Sequence, residues 1–164
     1  MNTIKYISHN EEETKKIAKL LAKLLQKGDI IILSGDLGAG KTKFTEGILS
    51  FFGLEDEISS PTFNIVNEYK TNNINLYHFD IYRLEDIDEF YEIGGEEYFE
   101  KGICIIEWGE LLNPILPKDY ILIKIVPVEN NINSRLFTIQ SHGSKFDNYL
   151  KILEKEVLIW KYLV

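Results

Sequence analysis

Arginine is nearly missing from this chain: of its 18 basic residues only Arg83 and Arg135 are arginines. That scarcity argues against enzymes that close an arginine-bearing lid over a transferred phosphate, and it marks each guanidinium as a candidate for planar, bidentate recognition of a phosphate or carboxylate. A basic surplus is missing as well. With 26 acidic residues against 18 basic the net charge is −8, a field that repels a phosphate backbone wherever lysines do not cluster, so direct and independent nucleic-acid binding is not expected. The single cysteine, Cys104, lies in an apolar stretch and has no partner for an internal disulfide, which fits a reducing compartment and a packing role. No run approaches the 18 or so apolar residues of a membrane span, and the opening MNTIKYISHNEEETKK has no apolar signal region, so a cytoplasmic protein without membrane contact is expected. Repeats, linkers and low-complexity segments are also absent, which predicts one domain over residues 1–164.

What the chain does have is Gly35-Asp36-Leu37-Gly38-Ala39-Gly40-Lys41-Thr42, the pattern of a phosphate-binding loop. Glycines let successive backbone N–H groups turn inward onto phosphates, and the loop opens onto a helix N-terminus that favours anions. Asp29–Ser34 is a short apolar run suited to a buried parallel strand. Residues 43–52 carry Phe44, Ile48, Leu49 and Phe52 at helical spacing, and Gly53 sits where a helix would end. Strand, loop and helix therefore come in the order that the motif requires. Nucleotide contacts are expected from Asp36, Leu37, Gly38, Ala39, Gly40, Lys41, Thr42 and Lys43, with Lys41 on the β- and γ-phosphates and the Thr42 hydroxyl on Mg²⁺.

Elsewhere, Asn10 to Lys27 reads as an amphipathic helix that begins with Asn10 and Glu13 in capping-box spacing and ends at Gly28. Phe63–Tyr69 and Ile74–Phe79 read as a hairpin, and short helices are expected between Glu85 and Lys101. Tyr120–Val128 and Leu136–Gln140 read as a second antiparallel pair around residues 130–133, and Phe146 to Tyr162 as a final helix. The mixture predicts an α/β fold of P-loop NTPase type, a mixed parallel and antiparallel sheet with helices on both faces.

A phosphate loop needs a second acid, at the end of a neighbouring strand, for Mg²⁺. Glu107 terminates the apolar run Ile103-Cys104-Ile105-Ile106 and is favoured as the metal-side or water-positioning carboxylate. Asp80, which ends the more mixed Leu76–Phe79, is its expected partner in ordering metal or water. Either acid has the alternative of a solvated strand end. Thr62, in Ser59-Ser60-Pro61-Thr62, is a candidate sensor of the γ-phosphate or metal, with a plain turn as the alternative. Arg83 is placed to pair with Asp80 or to approach the phosphates. Trp108 suits a stacking site or the core, and His78 is expected to be a hydrogen-bonded structural residue.

Taken together, GDLGAGKT at 35–42, SPTF at 60–63, YHFDIYRL at 77–84 and IIEW at 105–108 resemble the TsaE family, the small bacterial P-loop ATPases of tRNA threonylcarbamoyladenosine synthesis. The resemblance spans essentially the whole chain, with NEEET at 10–14 and the Arg135 region agreeing less closely, and Gly109 standing where the family often has Pro or Ser. It implies one Mg-dependent ATPase domain, slow alone, that supports assembly and turnover of partners similar to TsaB and TsaD. Those partners modify adenosine 37 of tRNA, so tRNA contact would be indirect. By position it assigns Lys41 and Thr42 to phosphate and Mg²⁺, Thr62 to a switch, Asp80 to a catalytic or metal-ordering role, Glu107 to the metal and Arg135 to the nucleotide. Trp108 also becomes a functional candidate. A small-molecule kinase and a nucleotide-dependent binding module without turnover are the competing readings.

Overall fold

The chain's most apolar stretches form the centre of the sheet in a computed structural model, which describes residues 1–58 and 64–162. The elements are β1 (Thr3–Ser8), α1 (Glu11–Ala22), β2 (Ile30–Ser34), α2 (Lys41–Phe51), β3 (Val66–Lys70), β4 (Asn75–Asp80), α3 (Ile87–Glu92), β5 (Ile103–Glu107), β6 (Tyr120–Val128), β7 (Asn131–His142) and α4 (Asp147–Tyr162). Among the described residues the seven strands make one sheet in the order β1-β7-β6-β2-β5-β4-β3. The four inner strands β6, β2, β5 and β4 run parallel, whereas β7 pairs antiparallel with both β6 and β1, and β3 pairs antiparallel with β4. This is the expected mixed α/β sheet.

Strand alternation assigns the core to two layers. Ile31 and Leu33 of β2, Ile105 of β5 and Ile123 of β6 face α1, α2 and α4, where they meet Ile17, Leu21, Phe44, Ile48, Leu150 and Leu153. Ile30 and Ile32, Phe79, Cys104 and Ile106 face the opposite way, onto Phe90 of α3, Tyr98 and Leu112. Both faces are covered, so the central strands β2 and β5 read as unbroken apolar runs rather than alternating ones. The cover is unequal: three long helices on one side, and α3 with short 3-10 turns on the other.

Several boundaries differ from the sequence reading. Helix α1 opens as expected, with Asn10 Oδ1 accepting from Glu13 N at 2.9 Å and Glu13 Oε2 accepting from His9 N at 2.8 Å. It stops at Ala22, not Lys27. Beyond it the Leu24 and Leu25 amides close tighter turns onto Leu21 O and Ala22 O, the Gln26 amide donates to the Asp29 carboxylate at 2.8 Å, and the Gly28 amide donates to Gly102 O. Strand β1 was not anticipated, although Ile4, Tyr6 and Ser8 alternate inward. Strand β7 begins at Asn131 and runs to His142, so the hairpin turn is Glu129-Asn130, with Asn130 at φ 62°. Its polar residues stay in the strand because β6 and β1 bond it on both sides.

Candidate functional site

The loop between β2 and α2 is shaped by contacts that admit no side chain at its first position. A Cβ on Gly35 would lie 2.5 Å from the Ile125 carbonyl oxygen of β6. Gly40 caps α2 at φ 109°, and the Phe44 amide returns to Gly40 O at 3.0 Å. Arg135, reaching over from β7, braces the loop: its Nε donates to Ala39 O at 2.9 Å and one terminal nitrogen donates to Gly38 O at 3.4 Å. The other terminal nitrogen donates to Ile132 O and Ser134 O. Arg135 thus occupies two of the loop's carbonyls, and backbone N–H groups of such a loop are the donors for an anion.

The Lys41 ammonium donates to Gly35 O and, at 3.0 Å, to Asp36 O, and it stands 4.5 Å from the centre of the Trp108 ring. Cation–π attraction and the carbonyls hold it at the mouth of the loop. Trp108 leaves β5 in the left-handed region at φ 62°, with its amide donating to Leu33 O at 3.3 Å and its ring 4.9 Å from that of Tyr82. Such a backbone costs an indole-bearing residue about 1–3 kcal/mol and is typical of functional sites. Gly109 follows because a Cβ there would come within 2.7 Å of the Ile32 side chain.

Two carboxylates stand side by side at the carboxyl ends of the parallel strands. Asp80 of β4 is paired in register with Glu107 of β5, which lies beside Leu33 of β2. Alternation points both acids, and His78, to the face that carries α2. Glu107 is only 5% exposed. Its Oε2 is 3.5 Å from His78 Nε2, and its Oε1 has no hydrogen-bond partner among the described residues. Asp80 Oδ1 accepts from the Tyr82 amide at 3.2 Å.

A cavity of about 760 Å³ joins these pieces, in the crevice outside the strand ends where open α/β sheets bind ligands. One wall is Gly38, Gly40, Lys41, Thr42, Asp80, Glu107 and Trp108. The rest of the lining comes from the start of α1 with Asn10, Glu11, Glu12 and Thr14, and from Ile132, Asn133 and Arg135 of β7. Two exposed apolar side chains flank the space, Leu37 at 78% and Ile132 at 85% exposure. Lys43 also lines it. Its hydrogen bond to Glu46, then the charges of Glu46 and Glu11, outweigh partial burial and raise its pKa, so it stays cationic.

The donor set suits Mg²⁺, which prefers a few hard oxygen ligands and keeps several waters. Thr42 offers an exposed hydroxyl at the cavity, and Glu107 offers a buried carboxylate oxygen that is otherwise uncompensated. No group of three or more His, Cys, Asp or Glu residues converges on a metal site among the described residues.

A family model described as Threonylcarbamoyl adenosine biosynthesis protein TsaE matches residues 8–136. The chain is 44% identical over 140 residues to the tRNA threonylcarbamoyladenosine biosynthesis protein TsaE of Rickettsia felis, covering 85% of this chain and 81% of that one. It is 40% identical over 148 residues to the protein of the same name from Bacillus subtilis, covering 90% and 91%. The chain belongs to the TsaE family. A crystal structure of Bacillus subtilis YdiB superposes with a TM-score of 0.76 at 34% identity, over 94% of this chain and 96% of that one. Family membership places the protein in tRNA threonylcarbamoyladenosine biosynthesis and, at a general level, among P-loop ATPases.

Of the residues expected at the TsaE nucleotide site, Leu37, Gly38, Gly40, Lys41, Thr42, Lys43, Asp80, Glu107 and Arg135 line one cavity, whereas Asp36 and Ala39 do not. Thr62, with Ser59, Ser60, Pro61 and Phe63, lies outside the described residues. Arg83 is exposed, makes no ion pair with Asp80 among the described residues and does not line the cavity. Trp108 is half-buried against Lys41, not a core tryptophan. His78 was expected to be hydrogen-bonded, but its Nε2 has no such partner among the described residues and faces Glu107 instead. The wall formed by Asn10, Glu11, Glu12, Thr14, Ile132 and Asn133 had only one sequence signal, the weakly matching NEEET segment. No helix among the described residues is long and apolar enough to cross a membrane.

Proposed function

We propose that this chain is the Mg-dependent, ATP-binding and ATP-hydrolysing subunit of the complex that makes N6-threonylcarbamoyladenosine at position 37 of tRNA. ATP binding supports assembly with transferase subunits similar to TsaB and TsaD, and hydrolysis supports their repeated turnover in the cytoplasm. One observation carries the reading: the phosphate loop opens into the same cavity as the strand-end acids Asp80 and Glu107. Loop N–H groups and Lys41 bind and orient the phosphate chain. Thr42 and Glu107 are the residues that would hold Mg²⁺, which would supply charge neutralisation at the phosphates. Asp80 would order water at the same site, and Thr62 would serve as the switch residue. Arg135 keeps the loop in its phosphate-ready shape. Neither arginine is free to act as a cis finger among the described residues, since Arg135 lines the cavity but is engaged by carbonyls and Arg83 lies outside. Slow turnover alone follows from that. The test is purification of the tagged protein from its cells with and without a non-hydrolysable ATP analogue, followed by ATPase assays with the recovered proteins. A tRNA-modifying pair should come down with the analogue and should raise turnover. Partners that change neither nucleotide affinity nor rate would contradict the reading.

A further inference from the structure

A histidine buried in an apolar layer ordinarily satisfies its ring nitrogens with hydrogen bonds, because a desolvated and unpaired polar atom is costly. His78 departs from that. It is 4% exposed, on the same face of β4 as Asp80, and its Nε2 has no hydrogen-bond partner among the described residues. What it faces is the Oε2 atom of Glu107, on the adjacent strand, at 3.5 Å. A displacement of a few tenths of an ångström brings the two atoms to ordinary hydrogen-bond distance. The other carboxylate oxygen, Oε1, is buried without a partner in the same set of residues.

We propose that His78 is a positioning residue for Glu107: the imidazole Nε2–H engages Oε2 and fixes the rotation of the carboxylate, so that Glu107 presents one set orientation to a ligand in the cavity. The torsion that turns a glutamate carboxylate is soft and roughly two-fold, so an acid meant to meet a cation in one orientation needs a neighbour that holds it there. A strand partner supplies one more rigidly than a loop would, and outer hydrogen-bond partners of ligating carboxylates are worth about 10–100-fold in metal affinity or activity. His78 touches no phosphate in this scheme and acts only through Glu107. The inference rests on the reading of Thr42 and Glu107 as the Mg²⁺-holding residues.

Two substitutions of similar bulk separate positioning from packing. His78→Leu fills the space without a donor, and His78→Gln offers an amide N–H at a comparable reach. Binding of a non-hydrolysable ATP analogue is titrated with Mg²⁺ and again in EDTA, alongside thermal unfolding. In His78→Leu the Mg²⁺ concentration for half-maximal enhancement of binding should rise about tenfold while binding in EDTA is unchanged, and His78→Gln should recover most of the loss. The proposal is overturned if His78→Leu keeps wild-type Mg²⁺ dependence, if His78→Gln fares no better than His78→Leu, or if neither variant folds, which would make His78 a residue of the fold alone. Wild-type protein whose binding ignores Mg²⁺ would overturn the metal reading and this inference together.

Discussion

Two carboxylates are buried at opposite ends of the central parallel strands, and they are treated very differently. Asp29, just before β2, is fully buried and accepts from the Gln26 amide at 2.8 Å, the Lys145 ammonium at 2.5 Å and the Tyr149 hydroxyl at 3.2 Å. Glu107, at the far end of β5, is nearly as buried, yet one oxygen has no partner among the described residues and the other has only a histidine at contact distance. The first acid ties α4 and the turn after α1 to the sheet. The second is a buried polar group left without full compensation, which is the pattern expected of a group kept for a ligand rather than for the fold. Burial alone does not separate the two roles; the count of bonded oxygens does.

The comparison breaks most visibly at the ligand end. Glu107→Gln keeps shape and removes charge, so nucleotide affinity should stay within a few-fold while ATP turnover with partners falls by about 10²-fold or more, the scale of losing one transition-state contact. Single-turnover ATP hydrolysis measures it, and wild-type rates would move the role to Asp80. At the structural end, Asp29→Ala strands the Gln26 amide and the Tyr149 hydroxyl, while Lys145, whose side chain is 41% exposed, can turn to water. The loss should be about 2–3 kcal/mol of stability in denaturant unfolding, below the value for a fully buried pair. Nucleotide affinity should be unaltered there, and a drop matching that of a site variant would erase the distinction between the ends.

A smaller effect is expected at Arg135. Arg135→Ala releases the Ala39 and Gly38 carbonyls and should weaken ATP binding about tenfold, the worth of one or two charge-assisted hydrogen bonds. Lysine should restore little, having no fork to span two carbonyls. Unchanged affinity by calorimetry would show that the loop needs no brace. The smallest effect is a pH dependence at the structural end. Burial first, then the charge of Asp29 and its hydrogen bond, push the Tyr149 hydroxyl from 10.0 up to about 12. Between those values the unfolded chain has lost this proton and the folded one keeps it, so the contribution is whole below pH 10 and disappears as pH rises toward 12. Tyr149→Phe should therefore lose less stability than wild type across that window, and parallel curves would contradict the assignment.

The same contrast explains what the sequence could reveal. The phosphate loop is legible because its function constrains neighbours in the chain: a strand, a tight turn with no room for a Cβ at Gly35, then a helix. Glu107 is legible because a strand covered on both faces writes an unbroken apolar run that ends at the site. Neither signal exists for the rest of the lining. Arg135 meets the loop only after β7 pairs with β6 and β6 with β2, so that it bonds Ala39 across 96 residues of chain, and Ile132 and Asn133 arrive with it. His78 acquires its meaning from β5 beside it, not from its own spacing. The end of α1 was misplaced for a like reason, since the residues past Ala22 keep helical composition while the amides of Leu24 and Leu25 close tighter turns onto Leu21 and Ala22, and Asp29 and Gly102 take those of Gln26 and Gly28.

The most direct test of the account is a calorimetric titration of the wild-type protein with ATP and with AMP, each with Mg²⁺ and in EDTA, using Lys41→Ala as the reference. A loop that cups a phosphate chain predicts that ATP binds, that Mg²⁺ tightens it, that AMP binds at least 10²-fold more weakly, and that Lys41→Ala loses about 2 kcal/mol of the ATP affinity. Equal affinity for ATP and AMP, undisturbed by Mg²⁺ or by loss of the lysine, would contradict it.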